Sequence, residues 1–138
     1  MGKFSNNLSE RKTLYKEMIR LFEENKDNVI SIRTIHIKDQ NFEGITNVSR
    51  SVLSSINKGK SRPKLSTIVT FCISLMLDVI DSYYLIELAG YKLSPFYELD
   101  RAYAELLQYH NHGDIKLCNE HLESLGIDKK YYLGVKSR

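Results

Sequence analysis

Between Arg50 and Lys64 the chain carries Arg50, Lys58, Lys60, Arg62 and Lys64 and not one Asp or Glu. Charge of one sign gathered in so short a stretch attracts a polyanion. Ahead of these cations stand Ser49, Ser51, Ser54 and Ser55. Ser is a mediocre helix former, and a helix that only faced solvent would more often carry Glu and Lys. Short hydroxyl side chains instead let a helix come close to a ligand's polar edges. Ser49 is a suitable N-cap for a helix whose apolar residues Leu53 and Ile56 are three apart on one face, so that Arg50, Ser51 and Ser55 point away from them. Gly59 follows two residues after Asn57, where a helix that turns sharply needs positive φ.

Other reactive side chains are weaker candidates. His110, His112 and Asp114 have donor chemistry for a metal, but no CxxC or HExxH accompanies them and HNHGD reads as a polar turn between helices, so no metal is expected. Cys118 and His121, at i and i+3, could imitate a nucleophile and base, but no orienting group or oxyanion site is legible. His36 is isolated, and the 7 glycines are scattered rather than grouped in a phosphate-cradling loop. Neither catalysis nor a cofactor is expected.

The elements that would position the Ser49–Lys64 unit read as helices. Residues 1–7 are mostly polar and expected to fray. Ser9 can cap a first helix to about Asn25, with Leu14, Met18, Leu21 and Phe22 on one face. Val29–Ile37 is ambiguous: β-branched residues and partial alternation favour a strand, while Ile32, Ile35 and His36 also suit a helix. After Pro63, the segment LSTIVTFCISLML reads as a helix with Ile68, Phe71, Cys72 and Leu75 on one face. Asp81 is expected to cap the next helix, through Leu88 and Ala89 to a stop at Gly90. Ser94 and Pro95 open another, to about His110, with Phe96, Tyr103, Leu106 and Leu107 as its apolar positions. Asp114 caps the last, which carries Ile115, Cys118, Leu122 and Leu125 and stops at Gly126. Six or seven helices result.

The Ser49–Lys64 unit resembles the helix-turn-helix of the Xre or lambda-repressor-like family of bacterial and phage regulators. The matching positions are Val48, Ser49, Arg50, Leu53, Ser54, Ile56, Gly59, Lys60, Pro63, Leu65, Thr67 and Ile68, without a gap. The segment LIELAGYKLSPFYELD, with the helices after it, more loosely resembles a tail on some small regulators of this kind, extending the resemblance to Ser49–Gly126. Carried backwards without gaps, it makes Lys38–Ile45 the first helix of the motif, with Phe42 in the core. Glu43 then falls where the family usually has a small residue, and Gly44 weakens a helix interior by about 1 kcal/mol. An insertion is the alternative, and the place of this helix stays open.

The resemblance implies an all-α, lambda-repressor-like bundle, with residues 1–93 as the helix-turn-helix region and 94–138 as a helical extension packed on it in one compact domain. It also implies a sequence-specific regulator of transcription, a repressor, that binds double-stranded DNA as a homodimer on half-sites one turn apart. Arg50, Ser51 and Ser55 would face base edges, Arg50 reading a guanine. Lys58, Lys60, Arg62 and Lys64, helped by the Ser54 hydroxyl, would hold phosphates. The alternative is an interaction module, antitoxin-like or an inhibitor encoded by a phage, that keeps the fold to bind a protein.

Composition agrees with a basic head and a packing tail. Residues 1–80 hold 13 Lys or Arg against 8 Asp or Glu, and residues 81–138 hold 7 against 9, so the halves are +5 and −2. Eight of the nine tyrosines lie in the acidic half. They suit helix packing or a protein contact through the C-terminal helices better than base stacking. The charge-free run Leu65–Leu77 is thirteen residues, whereas a membrane span needs about 20, so a buried helix and no membrane are expected. Two cysteines in apolar patterns, with no N-terminal leader signal, point to a reducing cytoplasm.

Overall fold

A computed structural model describes residues 8–60, 62–109 and 113–134, with side chains from Thr13 onward. Among these residues the chain is all-α, without strands: α1 (Leu8–Arg33), α2 (Phe42–Thr46), α3 (Arg50–Lys58), α4 (Leu65–Ser74), α5 (Val79–Leu88), α6 (Glu98–Tyr109) and α7 (Ile115–Ser124). Two 3₁₀ turns, Ile37–Asp39 and Lys129–Tyr131, complete it. No helix in this set is long and apolar enough to cross a membrane. The expected fraying of residues 1–7 falls outside the described residues.

The bundle is built around α4. Every residue from Ile68 to Leu75 is buried, as a charge-free run demands, and α2, α5, α6 and α7 all pack on this helix. α1 lies across α2, α3 and α5 through Leu14, Met18, Leu21 and Val29. Phe22, Phe42 and Phe71 form an aromatic line joining α1, α2 and α4, with ring centroids 5.1 and 6.2 Å apart. Tilted pairs of this kind add roughly 0.5–1.5 kcal/mol each beyond their burial.

Several boundaries differ from the expectations, each for a local reason. α1 does not end near Asn25, and Val29–Ile37 is no strand: Val29 falls one heptad after Phe22 on the same buried stripe, so packing overrides β-branched propensity. The helix stops at Thr34, whose φ is 53°, with Ile35 N–H donating to the Ile30 carbonyl at 3.1 Å. α5 is capped by Asp78, not Asp81: the Asp78 carboxylate accepts from the Asp81 N–H at 2.7 Å. α6 opens at Glu98, not Ser94. The Ser94 hydroxyl accepts from the Phe96 N–H at 3.2 Å, which holds residues 94–97 in a turn and leaves Phe96 86% exposed rather than in the core. Tyr103, Leu106 and Leu107 are buried as expected. α7 begins at its expected cap, Asp114, and its Leu125 is exposed.

Arg33 ties the bundle together at one point. Its Nη1 donates to the carbonyls of Ile45, in α2, and Ser74, at the end of α4, at 2.7 and 2.9 Å. A cation at two helix C-terminal ends is favourably placed in their dipoles. Burial lowers its pKa, and the Asp114 carboxylate partly offsets this. A Cβ on Gly113 would lie 2.5 Å from the Arg33 Cδ, so the turn before α7 closes directly over this side chain.

Candidate nucleic-acid interface

The site is a short helix, a tight turn and a second helix. α2 is capped by Asn41, whose side chain accepts from the Gly44 N–H at 2.9 Å. The ungapped expectation of a helix over Lys38–Ile45 is not met: Ile37–Asp39 is a 3₁₀ turn and the helix spans Phe42–Thr46, with Phe42 buried. Gly44 is there for approach rather than for helix propensity: a Cβ would sit 2.0 Å from the Asp39 carbonyl oxygen. Asn47 takes φ 59° to end α2, and its Nδ2 donates to the Ser74 hydroxyl at 2.9 Å. Val48 is buried in the turn.

α3 follows from its sequence in detail. Ser49 accepts from the Val52 N–H at 3.2 Å, and Leu53 and Ile56 are buried against the bundle. Gly59, with φ 68°, stops the helix: its N–H donates to the Ile56 carbonyl at 3.1 Å and the Lys60 N–H to the Ser55 carbonyl at 3.0 Å. Glu43 is exposed, and its carboxylate accepts from the Arg50 N–H at 3.3 Å. It is therefore a second cap on α3, supplied by α2, a role that spacing within α3 could not reveal.

Arg50, Ser51, Ser54 and Lys58 are exposed, Ser55 is half-buried, and the positions from Ser51 to Lys58 recur every three or four residues along the solvent side of α3. The Ser51 hydroxyl is 3.0 Å from that of Ser49. Arg50 leans toward the edge of the core, its Cζ 6.0 Å from the Phe42 ring centroid. Lys58, Lys60 and Lys64 are exposed, and none is in an ion pair among the described residues. Arg62 is placed differently. Its guanidinium donates to the Gly90 carbonyl and lies over the Tyr91 ring, 3.8 Å from the centroid, while the Tyr91 hydroxyl donates to the Pro63 carbonyl at 2.6 Å. The loop after α3 is thus locked to the end of α5 by the cation expected among the phosphate ligands. Arg62→Ala should cost about 1–2 kcal/mol of stability and leave the salt dependence of DNA binding nearly unchanged, as titration at several salt concentrations would read.

Asp114 caps α7 through the Leu117 N–H at 3.1 Å, while His110 and His112 lie outside the described residues. Among the described residues no group of three His, Cys, Asp or Glu side chains could hold a metal. Burial pushes the Cys118 thiol up to about 11, which disfavours a thiolate, and His121 is hydrogen-bonded to the Glu105 carboxylate. Cys72 is pushed up to about 12 for the same reason.

No family model matches the chain, and neither a curated protein nor a solved structure matches it.

Proposed function

We propose that this chain is a sequence-specific double-stranded DNA-binding regulator of transcription, a lambda-repressor-like protein that acts in the cytoplasm as a dimer and represses by occupying its site. The observation that carries the reading is the solvent side of α3. From Arg50 through Lys60 it offers one arginine, three hydroxyls and two lysines, no carboxylate, and a backbone held by caps at both ends. A capped, rigid helix of about two and a half turns, basic on one side, has the dimensions and charge to enter a major groove. Arg50, Ser51 and Ser55 take the base edges, and Lys58, Lys60 and Lys64, with the Ser54 hydroxyl, take the phosphates.

Selection of bound sequences from a random duplex pool tests this, with recovery of a palindrome as the expected outcome. On that palindrome Arg50→Ala should cost about 1–3 kcal/mol and relax preference at one base position, with little effect on random DNA. Uniform weakening on all sequences would make Arg50 a phosphate contact. Failure to enrich any sequence, with loss of a protein partner in the Arg50→Ala variant, would establish the interaction-module alternative instead. Each of Lys58, Lys60 and Lys64 that displaces a counterion should, when replaced by Ala, flatten the slope of log affinity against log salt by about 0.9.

A further inference from the structure

Glu43 stands where neither stability nor phosphate binding needs a carboxylate. The first turn of α3 already has a cap in Ser49, whose hydroxyl accepts from the Val52 N–H at 3.2 Å. The contact of Glu43 Oε2 with the Arg50 N–H is exposed and longer, 3.3 Å, so stability gains little from it. Within reach of phosphates, a negative charge weakens binding. Yet this contact holds the carboxylate of α2 against the first residue of α3, at the edge of the acid-free stretch. Half of the group stays open: Oε1 has no hydrogen bond, and Glu43 no ion pair, among the described residues. The Arg50 guanidinium lies at the same end of α3, toward the Phe42 ring, and does not pair with Glu43. Lys38 and Asp39, one charge of each sign, are exposed in the 3₁₀ turn before α2. An acceptor with no proton to give therefore stands beside a fork of donors.

We propose that Glu43 is a base-reading residue: its carboxylate accepts from the N4 amino group of a cytosine beside the guanine read by Arg50. This role rests on the DNA-binding reading and gives α2 a part in choosing the sequence. Chemistry narrows the base. In the major groove cytosine presents a donor, its N4 amino group, whereas guanine presents two acceptors and thymine an acceptor and a methyl. Adenine offers its N6 amino group next to the acceptor N7, whose lone pair would face the carboxylate. A carboxylate thus selects cytosine and works against the other three, at guanine and thymine by setting acceptor against acceptor. Arginine has the converse preference, for O6 and N7 of guanine. Side by side, the two groups match one G·C pair or two neighbouring ones. Repulsion between Glu43 and the phosphates weakens binding to every sequence and is offset only where the cytosine is present, which sharpens discrimination.

The test is selection of bound sequences from a random duplex pool with the native chain and with Glu43→Gln, followed by titration on the site selected by the native chain. The variant keeps an acceptor for the Arg50 N–H, so its melting temperature should not change, and an amide suits adenine N6 and N7 instead. The native chain should enrich a cytosine beside a guanine in each half-site. Glu43→Gln should keep the guanine and lose the cytosine, or exchange it for adenine. Replacing that cytosine by adenine should weaken the native chain about five- to tenfold and the variant much less. If Glu43→Gln melts early, the native chain carries the measurement: N4-methylcytosine at that position keeps the base pair but turns a methyl into the groove, and should weaken binding by a similar factor. A selected site with no fixed cytosine, or the same cytosine preference in Glu43→Gln, overturns the inference and leaves the DNA-binding reading in place. So does tighter binding of Glu43→Gln to every sequence alike, which would make Glu43 a repulsive charge and nothing more. A native chain that enriches no sequence removes the DNA-binding reading and this role with it.

Discussion

Leu107→Lys, or Tyr103→Lys, should unfold the chain rather than divide a dimer. Both residues are 1% exposed on the face of α6 that packs on α4 and α5, and the Tyr103 hydroxyl donates to the Tyr131 carbonyl at 2.7 Å. On sequence alone this helix, one turn of which carries Tyr103 and Leu107, is the first place to seek a dimer contact, because it belongs to the extension. Its packing places both residues in the core. Losing the Leu side chain costs about 2–5 kcal/mol, and a buried ammonium with no partner adds several more. Against a total stability of roughly 5–15 kcal/mol, each variant should lose its cooperative melting transition, measured by circular dichroism at 222 nm. A folded monomer would show instead that the α6 face is not part of the core.

Gly59→Val should damage stability and, on the function proposed above, DNA binding with it. At φ 68° a side chain crowds the adjacent carbonyl, at a cost of about 1–2 kcal/mol for an ordinary residue and more for a β-branched one. The melting midpoint should therefore fall by roughly 6–10 °C. Gly59 also closes the two hydrogen bonds that end α3 and aim the following loop, so Lys60 and Lys64 lose their placement and affinity for DNA falls even below the midpoint. Gly59→Asn is the control, because Asn tolerates the left-handed region; it should retain most of both properties. Equal behaviour of the Val and Asn variants would mean that the strain at this turn is relieved by movement of the loop.

Local signals made much of α3 legible. A cap, a stop and two buried residues three apart are all set within ten or so residues of chain, and each is a matter of backbone chemistry at a defined position. The same holds for the cap at Asp114 and the stop at Gly126. The burial of α4 was legible because thirteen uncharged residues have few other places to go. The Val29–Ile37 segment was not, because a β-branched run has no intrinsic answer: Val29 is helical since α1 has a buried stripe to extend, which only packing creates. Phe96 failed for the opposite reason. Its apolarity suggested the core, but the hydrogen bond at Ser94 holds it in a turn that no core residue reaches.

The sequence by itself determined the helical class, the two ends of α3 and the basic, acid-free stretch from Arg50 to Lys64, since each depends on residues that are neighbours in the chain. Tertiary structure decided the uses of Glu43, Arg62 and Arg33. Each of these pairs with a backbone group seven or more residues away, at Arg50, Gly90, and Ile45 and Ser74 respectively. It also decided which apolar residues stay uncovered. Tyr103 and Tyr83 are the same residue type on two apolar helices, and only the placement of α4 buries the first and leaves the second open. A side chain's chemistry is local, whereas its partner and its exposure belong to the surface that other elements bring to it.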